Sequence, residues 1–154
     1  MKKLSNLLFA LSVFALIIFV SCGKDEAPPP DPLADQAELL GRVWDVTVAN
    51  ITYEGGVPDG DWTGFSLTIS NASATGGNYS TGSTTPQGFS DVWPSSGSWT
   101  FNDDNKNEIL RSDDILMDVS VTSSSLQLVF DVPETAGRTA GIAGTWSFRF
   151  TPRN

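Results

Sequence analysis

Between Leu126 and Phe150 the chain alternates apolar and polar side chains in step. Leu126, Leu128, Phe130 and Val132 form one such set, and Trp146, Phe148 and Phe150 another, separated by Ser147 and Arg149. A repeat of two puts alternate side chains on one side of an extended backbone, so each run predicts a strand with one apolar face. The same pattern extends upstream. Ile115, Met117, Val119 and Val121 alternate without a break, Ile109 and Arg111 flank Leu110, and Trp99 and Phe101 share a face within Ser98–Phe101. Phe89 to Trp93 reads as a short strand stopped by Pro94. Earlier, Phe65, Leu67 and Ile69 share one face, and Trp44, Val46 and Val48 share another on a strand that runs on toward Tyr53. The turns between them, at Glu54–Gly60, Asn102–Asn107, Ser112–Asp114 and Ser123–Ser125, are rich in the residues that turns require. From Asn71 to Gly88, Gly, Ser, Thr and Asn predominate, so only a weak strand around Tyr79 is expected there. No helix longer than a turn or two is expected within the domain.

About eight short strands, each apolar on one side, must bury those sides against one another. A barrel or a sandwich satisfies this. Closure into an up-and-down antiparallel barrel has the advantage of leaving no exposed edge, and eight strands enclose room for side chains or for one small ligand. The expected fold is therefore all-β, a single domain over residues 37–154, with Leu39-Leu40 capping one end.

The first residues belong to a different kind of segment. Met1-Lys2-Lys3 is basic, Leu7–Val20 is apolar, and Ser21 is a small residue before Cys22, the single cysteine of the chain. The apolar run falls short of the roughly 20 residues a spanning helix needs, and no basic stop-transfer cluster follows it, so residues 1–21 read as a cleaved signal peptide. A lone thiol in an exported protein invites unwanted pairing unless a modification consumes it. Phe19-Val20-Ser21-Cys22 resembles a bacterial lipobox, which implies thioether lipidation of Cys22, cleavage before it and acylation of the new amino terminus. Two or three acyl chains hold a protein on a membrane where one holds it only marginally. Lys24-Asp25-Glu26 resembles the acidic export signal of Bacteroidetes lipoproteins, which implies the outer face of the outer membrane. Residues 22–36 read as a tether, because the prolines of Ala27–Gln36 favour an extended spacer.

Composition removes several kinds of chemistry. Histidine is absent and Cys22 is spent on lipid, so neither a histidine-based triad nor a Cys/His zinc site is expected. Without Lys2 and Lys3, seven of the nine basic residues remain against eighteen acidic ones, a formal charge of −11. Such a chain repels nucleic acid, and no basic patch is visible. Asp103, Asn105, Asn107 and Asp114 have the spacing of a calcium loop. Glu108 stands where that loop needs glycine, however, and the segment reads instead as a hairpin turn. No metal site and no cofactor are expected. Asn71-Ala72-Ser73 and Asn78-Tyr79-Ser80 match the glycosylation pattern, without meaning in the bacterium that a lipobox implies. Among the tryptophans, Trp62 and Trp93 lie beside turns, by Gly60-Asp61 and Pro94, where an indole can stand at a barrel mouth and stack on a sugar ring or an apolar ligand. On that reading Trp62→Ala costs much less stability than Trp146→Ala.

The motifs also carry a resemblance. Leu39-Leu40-Gly41-Arg42-Val43-Trp44 is similar to the start of the first strand in lipocalin-like proteins, with one residue more between Gly and Trp than the commoner spacing. With Ser96-Gly97-Ser98-Trp99-Thr100-Phe101 and the closing segment from Gly137-Arg138 to Gly144-Thr145-Trp146-Ser147-Phe148, residues 39–154 resemble the small lipocalin-like domains of Bacteroidetes lipoproteins. The resemblance implies a non-enzymatic, surface-exposed lipoprotein whose barrel binds a small apolar or sugar-like ligand. Two alternatives remain: an interaction subunit of an envelope complex, and a hydrolase built on paired carboxylates. An interior cavity at one end with Trp62 or Trp93 on its rim favours ligand binding; a filled interior with an exposed apolar patch favours the interaction subunit.

Overall fold

The computed structural model describes residues 29–82, 85–134 and 142–154. One helix, α1 (Pro32–Leu40), precedes eight strands: β1 (Val43–Tyr53), β2 (Ser66–Ser73), β3 (Gly76–Thr81), β4 (Ser96–Asn102), β5 (Asn105–Arg111), β6 (Leu116–Val121), β7 (Leu126–Val132) and β8 (Gly144–Pro152). Each strand pairs antiparallel with the next, and β8 returns to β1, so the sheet closes on itself. The all-β up-and-down barrel is thus the observed fold, and closure rules out a sandwich.

The alternating residues set the register. Leu126, Leu128 and Phe130 of β7 stand opposite Phe150, Phe148 and Trp146 of β8, and all six are buried. On the other side of β7, Phe130 and Leu128 face Met117 and Val119 of β6. Slipping any of these pairings by one residue would turn the whole apolar set outward, and each such side chain contributes roughly 1.5–3 kcal/mol when buried. The interior fills accordingly, with Trp44, Phe65, Trp146, Phe148 and Phe150 all at 1% exposure or less.

Three expectations are corrected. First, the face predicted through Val48 breaks: β1 shifts register against β8 between Val46 and Ile51. Val48 is exposed and Ile51 re-enters the core. Second, the tail of the proposed extended spacer is helical. Asp31 caps α1 by accepting from the Leu33 N–H at 2.9 Å, and Pro32 stands in the first turn, where its missing N–H costs nothing. The helix buries Gln36, Ala37 and Leu40 against one barrel end, the Gln36 amide donates to the Lys106 carbonyl, and the Trp44 indole donates to the Leu40 carbonyl. Leu40 therefore caps that end, as the double leucine suggested.

Third, Phe89–Trp93 is a helical turn rather than a strand: the amides of Val92 and Trp93 both donate to the Phe89 carbonyl, at 2.9 and 3.1 Å. Neighbours Val92 and Trp93 are both buried, which a one-faced strand forbids. The segment with calcium-loop spacing contains a two-residue hairpin, as its sequence favoured. Asn102 pairs with Asn105, and Asp103 and Asp104 have φ of 48° and 56°, the left-handed pair that such a tight hairpin demands. The weak strand around Tyr79 is real and forms β3. It needs Gly97 opposite, where a Cβ would come within 2.7 Å of the Tyr79 ring.

Two ends follow from the topology. The tether end carries α1 and the β2–β3, β4–β5 and β6–β7 turns. The far end carries the long β1–β2 and β3–β4 connections, the β5–β6 turn and the crossing from β7 to β8.

Candidate functional site

Cys22 lies outside the described residues. The two tryptophans expected at a rim are both in the core: Trp62 is 0% and Trp93 1% exposed. Trp62 folds inward from the β1–β2 connection. Its indole donates to the Asp59 carbonyl at 3.0 Å, and its ring packs on Phe65, Phe89, Trp146 and Phe148 with centroids 5.3–5.6 Å apart. Trp93 enters from the β3–β4 connection and meets Phe65, Tyr79, Phe130 and Phe148. The residues expected to line a mouth instead plug the far end. Turn residues beside both indoles suggested exposure, but packing between segments distant in sequence decided otherwise.

Beneath that plug lies a residue whose importance the sequence reading missed. Arg111 sits at an inward position of β5 and is 1% exposed. Its guanidinium bonds both carboxylate oxygens of Asp113, through Nε at 2.9 Å and through Nη2, and Nη1 donates to the Val92 carbonyl at 2.8 Å. The Trp93 and Phe130 rings lie 5.0 and 5.5 Å from its charge. A buried cation needs such partners because water no longer solvates it. Arg111 thereby ties the β5–β6 turn to the Phe89–Trp93 plug. The available signal was its alternation with Ile109, which placed a charge on an apolar face.

Among the described residues the interior is tightly packed. One void of about 10 Å³ is lined in part by Tyr79, Trp93, Trp99 and Met117, no more than the ~10–15 Å³ one water requires. Tyr79 Oη, Trp93 Nε1 and Trp99 Nε1 are buried without a hydrogen-bond partner in the structure. Burial pushes the Tyr79 phenol above its ordinary 10.0, against the pull of the Arg111 charge.

On the outside, a depression of about 530 Å³ crosses β6, β7 and β8 near the far end. Its walls include the carboxylates of Asp114, Asp118 and Asp131 and the apolar Leu116 and Val129. Leu116 is 46% exposed. Asp131 accepts from the Thr145 hydroxyl at 2.5 Å. Other carboxylates have structural duties: a hydrogen bond from Arg153 holds Asp45 below the usual 3.8, and hydrogen bonds from the Thr63 hydroxyl and amide do the same for Asp61. Among the described residues, no group of three His, Cys, Asp or Glu side chains is arranged to hold a metal ion. Compared with known proteins, the chain matches no protein-family model and no curated protein sequence.

Proposed function

We propose that this chain is a lipid-anchored protein of the bacterial outer membrane, held by Cys22 and displayed at the cell surface, and that it serves as a non-catalytic interaction module. The observation that carries this reading is the filled barrel. With a void of about 10 Å³ and no open rim at Trp62 or Trp93, recognition falls to the outer surface. The tether supports the same arrangement: the chain reaches the barrel through α1 at one end, so the opposite end is presented away from the membrane. Kinship with lipocalin-like Bacteroidetes lipoproteins belongs to this proposal through the Gly-Trp motifs and the lipobox.

A second reading, a small ligand held inside, draws on the unpartnered polar atoms of Tyr79, Trp93 and Trp99. Such atoms cost roughly 1–3 kcal/mol each when nothing satisfies them, and a ligand rich in acceptors would satisfy them. It requires the Phe89–Trp93 plug to lift. Native mass spectrometry of the full-length protein, gently purified from its own cells, separates the two. The interaction module predicts the mass of the acylated polypeptide with no further adduct, whereas a stoichiometric small molecule retained in the barrel contradicts it. A Cys22→Ala variant should lose both the acyl mass and its membrane association. Retention of both would remove the anchor from the proposal.

A further inference from the structure

Resting on the reading of an interaction module, we propose that the outer depression over β6 and β7 docks a basic, extended peptide segment of a partner protein. The segment would carry an apolar side chain between lysines or arginines. Leu116 and Val129 give the depression apolar lining: Leu116 stands opposite Leu110 of β5, and Val129 of β7 is on the next row, paired with Asp118. Around that floor stand Asp114, Asp118 and Asp131. Among the described residues none of these carboxylates has an ion-pair partner; the pairs formed there are Arg111–Asp113 and Arg153–Asp45.

One detail marks the surface as incomplete by itself. Glu108 and Asp118 are cross-strand partners, and like charges placed directly opposite destabilise a sheet. The Asn102 amide donates to Glu108 at 2.9 Å, but among the described residues no cation is paired with either acid. Of the described basic groups, Lys106 is further down β5, and Arg149 of β8 is turned to the Gln127 amide at 3.3 Å. A lysine or arginine from outside would relieve the repulsion while an adjacent apolar side chain covers Leu116. Closure of the barrel leaves no strand edge to extend, so the partner's contacts would be made through side chains.

The test uses the full-length lipidated protein in phosphatidylcholine nanodiscs and a fluorescent synthetic peptide alternating lysine with leucine, followed by anisotropy. The expected result is saturable binding that weakens with added salt, as rim charges do. A peptide with glutamate in place of lysine should not bind. The double variant Asp118→Asn, Asp131→Asn should weaken binding about tenfold. Asp118→Asn alone should keep or raise the melting temperature, because it relieves Glu108; a merely structural role predicts a fall. Equal binding by the double variant, equal binding of the glutamate peptide, or no binding of the lysine peptide would each overturn the proposal. So would a dimer of this chain abolished by Leu116→Ser, which would assign the surface to a second copy. Failure here with no adduct in the native mass spectrum would discard the docking surface alone, whereas a retained small molecule would discard the interaction-module reading beneath it.

Discussion

Arg111 and Trp62 show how single residues secure the far end of this barrel. The Arg111 side chain is fully buried and that of Asp113 is 35% exposed, so removing the acid strands the base. Asp113→Ala should cost about 3 kcal/mol in urea unfolding, the low end for breaking a buried pair because the acid is partly solvated. Arg111→Met, which removes the charge while keeping an unbranched apolar chain, should cost less. The reverse order would mean that packing, not charge compensation, sets the role of this residue. At Trp62 the structure revises an expectation. With Trp62 and Trp146 both at 0% exposure and their rings 5.6 Å apart, each truncation to alanine should cost about 3–5 kcal/mol. A much smaller loss at Trp62 would restore it to a rim.

Among the elements, α1 and the β1–β8 seam make separate demands. Replacing the cap with Asp31→Ala should cost about 1 kcal/mol, detectable as a lower urea midpoint at an unchanged slope. At the seam, Arg153 binds Asp45 through Nε at 2.9 Å and so joins the end of β8 to the start of β1. The hydrogen bond lowers the Asp45 pKa in the folded protein. Its contribution is therefore present above the unfolded value near 3.8 and is lost as pH falls through the folded value. Arg153→Gln should flatten the acid limb of the stability profile, and an unchanged limb would contradict this assignment.

These elements also mark how far the sequence could be read. Strands β6, β7 and β8 were legible because a repeat of two admits one solution when one side must be buried. Helix α1 was hidden behind its prolines, although Leu33, Ala37 and Leu40 recur at helical spacing and Asp31-Pro32 is a helix start. Phe89–Trp93 looked like a strand by composition; its apolar residues at 89, 92 and 93 fit a helical turn instead. The candidate site was the least legible part. Where Trp62 and Trp93 point depends on Phe148 and Phe65, and the outer depression exists only once β5, β6 and β7 lie side by side.

At the scale of the whole molecule, the account describes a barrel closed by its sheet, stoppered by α1 at the tether end and by Trp62, Phe89 and Trp93 at the other. Its acidic exterior is then the surface available for recognition. The five tryptophans of the chain report directly on this claim, since Trp44, Trp62, Trp93, Trp99 and Trp146 are all at 3% exposure or less. Acrylamide quenching of tryptophan fluorescence in the full-length protein measures their access to solvent. The account predicts blue-shifted emission and a uniformly small quenching constant that rises sharply only on unfolding in urea. A native protein in which some of the emission is red-shifted and readily quenched, with Trp62→Phe and Trp93→Phe abolishing that fraction, would show an open mouth and contradict the filled barrel.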